Sequence, residues 1–353
     1  MASPQPEPDY NPHTTGSYLV CTACGTQFPT SDPKAITTCR ICDDPRQFTP
    51  RSGQAFTTLD ALRKDHKNVF TPFPGDPEGR FTSITTEPRF AIGQRAVLIR
   101  TGRGNVLWDC VTFLDDDTIA RVNELGGLDA IVISHPHYYS THVEWARAFS
   151  CPVYLAFEDK EWLVQSSSWQ DFIHGTEFNV PLLDGLGNPG EDTQLPTPAD
   201  DDDTVKVLKL GGHFPGSLVL LCSGRLLIAD TLVTTPAGLG SWETDALGEP
   251  RPEAQSSASG AAAPPRDPPT RRPLGMNSFS FMWSIPNMIP LAPDEIGKMW
   301  AVLGGHEFRS THGAFVGVDV EGSAAEMRRR VLESMQIQIR YMGYGEHAML
   351  KET

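Results

Sequence analysis

The chain has 353 residues, of which 39% are hydrophobic, so it is long enough for one large domain with a buried core and smaller appendages. Its 29 basic and 44 acidic residues give a net charge of −15, which disfavours nonspecific binding to nucleic acid or to anionic membranes. No apolar stretch approaches the roughly 20 residues that span a bilayer, and residues 1–8 lack the basic and apolar regions of a signal peptide. We therefore expect a cytoplasmic or nuclear protein without a membrane anchor.

The N-terminal part is predicted to hold a small metal-bound segment behind a disordered tail, residues 1–17, which is Pro-rich and polar. Two pairs, Cys21-x-x-Cys24 and Cys39-x-x-Cys42, are separated by 14 residues, close to the spacing of a four-cysteine zinc site. Residues 18–48, here called the ribbon, have too few apolar residues to form a core, so structural zinc would supply their folding free energy. Rubredoxin-like iron is the chief alternative, and a disulfide pair is disfavoured in a reducing compartment.

A connector rich in Thr, Pro and Gly separates the ribbon from a main domain that we expect to span residues 85–345. The connector contains one short predicted helix, Thr58–Asp65. The main domain begins with strands Ala96–Arg100 and Asn105–Asp109, which Thr101–Gly104 joins as a hairpin. Strands and helices then alternate, as is typical of an α/β protein. Further strands are predicted at 129–134, 151–156, 205–210, 218–222 and 225–229, and helices at 117–125, 142–149, 158–165, 294–303 and 324–342.

Residues 245–273 differ in composition from the sequence on either side. Pro, Ala, Ser, Gly and Arg dominate this stretch, which can therefore bury little apolar surface. We predict a disordered insertion in the main domain, and the alternative is a docking segment for a partner.

Three histidines lie at the ends of predicted strands. His135 and His137 directly follow the strand at 129–134, and two imidazoles at positions i and i+2 point the same way from a sheet edge. His213 lies in a glycine-rich turn between two apolar strands, and Asp230 closes the strand at 225–229. Three histidines and one aspartate in these positions form a suitable ligand set for zinc or iron.

These motifs, together with Asn105–Asp109 and Ile133–Tyr139, resemble the metallo-β-lactamase fold superfamily, and within it a hydrolase-like branch with a short Cys-rich N-terminal segment. The resemblance covers about residues 85–345. It implies an αββα sandwich, an α+β arrangement of two sheets between helices. It also implies that Asp109 supports a metal-binding histidine, with a strand-end or capping carboxylate as the alternative. The implied metal ligands are His135, His137, His213 and Asp230.

The sequence departs from the superfamily at the second metal. The first motif of the superfamily reads His-x-His-x-Asp-His, whereas this chain has Tyr139 and Ser140 in place of the Asp and the last His. We therefore expect a single metal ion, and we expect that restoring Asp and His there rebuilds a second site. His142 is either a substitute ligand, a residue at the start of the following helix, or a residue that supports the ligands. His312 is either a fifth ligand, a hydrogen-bond donor to substrate or a loop residue without a role in the site.

The ligand set and the resemblance predict a metal-dependent hydrolase that acts on a small ester, thioester or lactone-like substrate through a metal-bound hydroxide. Asp230 is either the fourth ligand or the base that orients the water, and Tyr139 or Tyr138 is expected to donate to the developing oxyanion. Zinc, iron or manganese suits the main-domain site. Nucleic acid is not an expected partner, because the chain is acidic.

Two interpretations belong to other functional classes. The first is a degenerate, metal-poor binding module whose ribbon contacts a protein partner. Loss of two ligands favours this interpretation, whereas retention of four strand-end ligands counts against it. The second is an iron site for redox or sulfur chemistry, because the same side chains also bind iron.

Overall fold

The computed structural model describes residues 10–76, 79–182, 203–240 and 277–353. The N-terminal part contains helix α1, Pro12–Thr15, and strand β1, Leu19–Cys21, which pairs antiparallel with β2, Phe56–Thr58. Helix α2, Leu59–Leu62, follows β2 directly and is capped by the hydroxyl of Thr58, which accepts from the backbone amide of Ala61.

The first large sheet has seven strands, which occur in the same order along the chain and across the sheet. The first four pair antiparallel, and the fourth to seventh pair parallel. The strands are β3 Lys67–Pro72, β4 Phe81–Glu87, β5 Ala96–Thr101, β6 Gly104–Trp108, β7 Ala130–Val132, β8 Val153–Ala156 and β9 Gln170–Ile173.

The second large sheet has six strands, in the order β10-β11-β12-β13-β18-β19. Its pairs are antiparallel except for β13 and β18, which are parallel. Its strands are β10 Glu177–Asn179, β11 Lys206–Lys209, β12 Leu218–Cys222, β13 Arg225–Leu227, β18 Ser310–His312 and β19 Val320–Glu321. Two small pairs complete the described strands: β14 Val233–Thr234 with β15 Phe279–Ser280, and β16 Met282–Ser284 with β17 Ile289–Pro290.

The two sheets pack face to face between two layers of helices. Alternate residues of β5 show this, because Val97 and Ile99 join the cluster between the sheets whereas Ala96 and Leu98 join the cluster on the outer face. Helices α3, Asp116–Glu124, and α4, His142–Phe149, cover the outer face of the first sheet; α5, Pro293–Leu303, and α6, Ala324–Tyr341, cover that of the second. The predicted αββα sandwich is therefore confirmed.

The sandwich begins earlier than the sequence predicts. Strands β3 and β4 lie in the stretch assigned to the connector and form the antiparallel edge of the first sheet, so the domain starts at about residue 67 rather than 85. Their sequences are rich in Thr and Ser, whose β-branched or small side chains suit a half-buried edge but give little hydrophobic alternation.

The predicted disordered tail is partly wrong. Residues 10–17 contain α1, where Thr15 is buried and donates a hydrogen bond to Glu144 of α4. Residues 1–9 and the predicted insertion 245–273 lie outside the described residues. The predicted helix at 158–165 is a 3-10 helix, Phe157–Trp162, since β9 begins shortly afterwards. Among the helices that are described, none is long and apolar enough to cross a membrane.

Candidate metal centre

Hydrogen bonds made by the backbone of Ser134, just after β7, fix the direction of His135. The amide of Ser134 donates to Asp109 Oδ1 at 2.8 Å, and the carbonyl of Ser134 accepts from the amide of Leu218 at 2.9 Å, which joins this end of β7 to the second sheet. The hydroxyl of Ser134 lies 2.8 Å from His135 Nδ1, so His135 Nε2 is the nitrogen left to face the interior of the site. A 3-10 turn, Pro136–Tyr138, then brings His137 beside it.

The loop that carries His213 is held on both sides. The amide of His213 donates to Thr231 Oγ1 at 3.2 Å, and its Nδ1 lies 2.8 Å from the carbonyl of Trp283. An imidazole that donates from Nδ1 to a carbonyl has its lone pair on Nε2, the tautomer that a metal requires. Asp230 lies three residues after the end of β13 and directly before Thr231.

Four donor atoms converge as predicted from the sequence. Asp230 Oδ2 lies 3.5 Å from His135 Nε2, 3.9 Å from His137 Nδ1 and 3.8 Å from His213 Nε2, and the last two nitrogens are 3.1 Å apart. A tetrahedral ion with ligand distances near 2.1 Å separates its ligands by about 3.4 Å. The four residues, here called the histidine cluster, therefore fit one ion.

Electrostatics favours the ligand forms of these side chains. Burial lowers the pKa of His137 to about 4 and that of His213 well below its ordinary value, so both imidazoles are neutral at pH 7. Burial alone would raise the pKa of Asp230, but the facing histidines, His135 foremost, lower it well below its ordinary value. His135 Nε2 is buried without a hydrogen-bond partner among the described residues, which a bound metal would satisfy.

The four cysteines of the ribbon form a second buried cluster. The sulfur atoms of Cys21 and Cys42 are 3.7 Å apart, and those of Cys24 and Cys39 are also 3.7 Å apart. Metal–sulfur distances near 2.3 Å in a tetrahedral site separate the sulfurs by about 3.8 Å. The cysteine cluster therefore fits the predicted zinc-ribbon-like segment.

The two tyrosines of the first motif point in different directions. Tyr138 donates to Asp230 Oδ1 at 2.8 Å, whereas Tyr139 donates to the carbonyl of Asp159 at 3.3 Å. The structure therefore places Tyr138 at the histidine cluster, and the choice of Tyr139 as a site residue is corrected. In the 3-10 turn, consecutive side chains point about a third of a turn apart, so only one of the two reaches Asp230.

Two other histidines lie outside the histidine cluster. His312 sits on β18, where its Nδ1 is 3.5 Å from Asp319 Oδ1, its Nε2 is 2.8 Å from Ser310 Oγ and its ring packs on Phe73. The predicted roles of His312 as fifth ligand or substrate donor are thus not supported, because its ring nitrogens face Asp319 and Ser310 instead of the histidine cluster. His142 has both ring nitrogens engaged, by the carbonyl of Tyr139 and by Gln170, so it supports the turn rather than binding a metal.

Asp109 lies next to the end of β7, where its contact is with the backbone amide of Ser134. It is buried, adopts a left-handed backbone conformation at φ +58°, and anchors the amide next to His135 through Oδ1. Burial raises the pKa of Asp109 to about 7. Sequence analysis missed Arg46, whose guanidinium donates to the carbonyl of His213 at 3.1 Å. A charged pair directly after the second cysteine pair, Asp44 and Arg46, was the available signal.

Comparison with known proteins agrees with this geometry. A model of the metallo-beta-lactamase superfamily matches residues 91–276, a span that contains the whole histidine cluster. Uncharacterized protein YmaE of Bacillus subtilis (strain 168) is 35% identical over 319 residues, which cover 88% of this chain and 93% of that protein.

Two solved structures illustrate more distant likeness. A B3 metallo-beta-lactamase with an active-site glutamic acid has a TM-score of 0.40 at 12% identity, and the match covers 86% of this chain and 99% of that chain. ETHE1 from Myxococcus xanthus has a TM-score of 0.37 at 15% identity, with 70% of this chain and 86% of that chain covered.

Proposed function

The chain belongs to the metallo-beta-lactamase superfamily, and from this membership and the histidine cluster we propose that it is a metal-dependent hydrolase of a small ester, thioester or lactone-like substrate. The single observation that carries the proposal is the convergence of His135 Nε2, His137 Nδ1, His213 Nε2 and Asp230 Oδ2 on one point. A divalent metal held there, with a position left open for water, would supply Lewis acidity and would lower the pKa of that water towards about 7.

Asp230 is the most exposed of the four residues of the histidine cluster. Its side chain is 15% exposed, whereas the histidine side chains are at most 2% exposed. The low pKa keeps Asp230 ionised, so its carboxylate would either hold the metal as the fourth ligand or accept a hydrogen bond from the reacting water. Tyr138 fixes the carboxylate by donating to Oδ1, and the raised pKa of its buried hydroxyl keeps that proton in place.

A cavity of about 740 Å³ beside the His213 loop supports a small-molecule substrate, because this volume is typical of ligand pockets. Gly211, Gly212 and Trp283 line it and directly neighbour His213 in the chain or by hydrogen bond. Apolar side chains such as Leu291 form much of the wall. Its charged groups are Arg46, Lys209, Glu295 and Lys298, and each of the three cations is paired with a carboxylate. This lining suits an uncharged acyl group better than a polyanion.

The test is hydrolysis by purified protein supplied with zinc, manganese or iron, on a panel of esters, thioesters, lactones and phosphodiesters. We expect turnover of at least one carbonyl substrate, reduced to background by His137→Ala. His13→Ala changes an exposed histidine and is the matched control, with activity equal to the parent. A folded parent that hydrolyses none of the panel contradicts the proposal and favours the binding module, in which the ribbon contacts a protein partner.

A further inference from the structure

The first cysteine pair continues into a segment that packs on the turn of the first motif. We call Cys21–Gln27 the first knuckle. The amide of Gln27 donates to the carbonyl of Ser140 at 3.1 Å, and the hydroxyl of Ser140 lies 3.4 Å from the carbonyl of Gly25 and 2.8 Å from Thr112 Oγ1. A Cβ on Gly25 would lie 1.9 Å from Thr112 Oγ1, so only glycine allows this close approach.

The second cysteine pair continues into a segment that reaches the other ligand loop. We call Cys39–Arg46 the second knuckle. Asp44 and Arg46 form a two-pronged ion pair, with Nε to Oδ1 at 2.8 Å and Nη2 to Oδ2 at 3.0 Å, and each side chain is only 10% exposed. The remaining Nη1 of Arg46 donates to the carbonyl of His213 at 3.1 Å, and its guanidinium carbon lies 3.8 Å above the ring of Phe214.

The second knuckle also contacts the strand whose Trp283 carbonyl orients His213. The carbonyl of Pro45 accepts from the hydroxyl of Ser284 at 2.9 Å and from the side-chain amide of Asn287. Ser284 follows Trp283, whose carbonyl faces His213 Nδ1. The ribbon therefore contacts the His213 loop directly through Arg46 and its supporting strand through Pro45.

We propose that the ribbon is a clamp for the main-domain metal centre, with Arg46 as the positioning residue of His213. One knuckle rests on the turn that follows His137 and the other on the loop of His213, and the cysteine cluster joins the two knuckles. The inference rests on the histidine cluster being a metal site, as proposed above, but it does not depend on hydrolysis.

Whether removing Arg46 weakens or strengthens metal binding distinguishes a clamp from a purely electrostatic effect. A cationic guanidinium beside a metal site repels the metal, so removing an unpaired arginine would strengthen metal binding. Arg46 is neutralised by Asp44 through a two-pronged ion pair, so the pair adds little charge to the site. Removing the clamp contact frees the His213 loop and therefore weakens metal binding.

The test measures cobalt affinity at the histidine cluster in the full chain, by the d–d bands of the nitrogen and oxygen site. Thiolate-to-cobalt charge-transfer bands report any cobalt in the ribbon separately. Arg46→Ala should weaken cobalt binding at the histidine cluster by about 10- to 100-fold, the usual effect of losing a group that supports a ligand. Arg51→Ala, which changes an exposed arginine, should equal the parent.

Arg46→Lys keeps the charge but lacks the planar fork, so its affinity should lie closer to that of Arg46→Ala than to that of the parent. Full recovery by lysine, or unchanged or tighter binding in Arg46→Ala, would overturn the clamp. A parent that binds no cobalt at the histidine cluster would overturn both the clamp and the proposed function, whereas binding without hydrolysis would leave the clamp standing.

A second test removes the metal ligands of the ribbon and measures cobalt affinity at the histidine cluster. Cys21→Ser with Cys39→Ser should weaken cobalt binding at the histidine cluster by at least tenfold, although none of its ligands is changed. Cys222→Ser, a buried cysteine on β12 in the second sheet, is the matched control and should keep the parent affinity. Equal affinities in the two variants would overturn the proposal, even if Arg46→Ala itself fails to fold.

Discussion

Asp159 is a fully buried carboxylate behind the His213 loop. Its Oδ1 accepts from the amide of Gly216 at 3.0 Å, while its Oδ2 has no hydrogen-bond partner in the described part of the chain. Burial raises the pKa of Asp159 from 3.8 to about 6, because the charged form loses its hydration. The ionised form of Asp159 therefore lowers the free energy of unfolding at neutral pH.

The first prediction follows from the sign of that shift. A folded-state pKa above the unfolded value contributes stability that is present below pH 3.8 and is lost as pH rises through about 6. Between roughly pH 5 and 7.5, the free energy of unfolding of the metal-free parent should fall by about 1 kcal/mol relative to that of Asp159→Asn. Urea unfolding at both pH values measures this difference. Asp171→Asn, an exposed aspartate on β9, is the control, and a pH response of Asp159→Asn equal to that of the control contradicts the account.

The second prediction reverses an expectation from the sequence. Ser140 is 3% exposed and packed between Thr112 and Gly25, so a histidine at this position has no space. Tyr139→Asp would also leave a cavity and a buried carboxylate, at a cost of about 3 kcal/mol or more. The double variant Tyr139→Asp with Ser140→His should therefore lose stability and gain no second metal. A second bound ion at parent stability, measured by metal content and urea unfolding, would refute this packing argument.

At the scale of elements, the third prediction concerns the ribbon. Metal binding supplies folding free energy to a segment with a small core, so Cys21→Ser with Cys39→Ser should remove one ion per chain. Amide exchange should accelerate in residues 18–48, while β5 to β8 stay protected by the two sheet cores. Hydrogen exchange with mass spectrometry and metal analysis measure both effects. Unchanged metal content, or loss of protection in β5 to β8, would contradict the prediction.

The elements that sequence analysis identifies best are those with strong local patterns. Strands β5 and β6 are apolar runs on either side of a tight turn, and the predicted bounds of α4 are those of the structure. The histidine cluster is also predictable, because its motifs follow apolar strands whose ends meet at one edge of the sandwich. Local signals therefore suffice wherever a ligand lies beside the strand that places it.

Contacts between distant segments are what the sequence could not show. Arg46 and His213 are 167 residues apart, and no periodic pattern connects them. The orienting group for His213 is a backbone carbonyl, that of Trp283, which any residue at that position would supply. Tyr138 rather than Tyr139 reaches Asp230 because a 3-10 turn, not an extended strand, follows His135.

At the scale of the whole molecule, the fourth prediction concerns residues 245–273, which lie outside the described residues. Their composition offers little apolar surface to bury, so replacing them by a short Gly/Ser linker should leave the melting temperature nearly unchanged. Calorimetry of the parent and the shortened chain measures this. A large fall in melting temperature would show that the segment contributes to the folded core.

The central claim is that this acidic chain holds two separate metal sites, one in the ribbon and one at the histidine cluster. Metal content per chain, measured on purified and folded parent and His137→Ala, tests it most directly. The account predicts two ions in the parent and one in the variant, because His137 supplies a ligand only to the main-domain site. A parent that holds one ion, with the same content in His137→Ala, would contradict it.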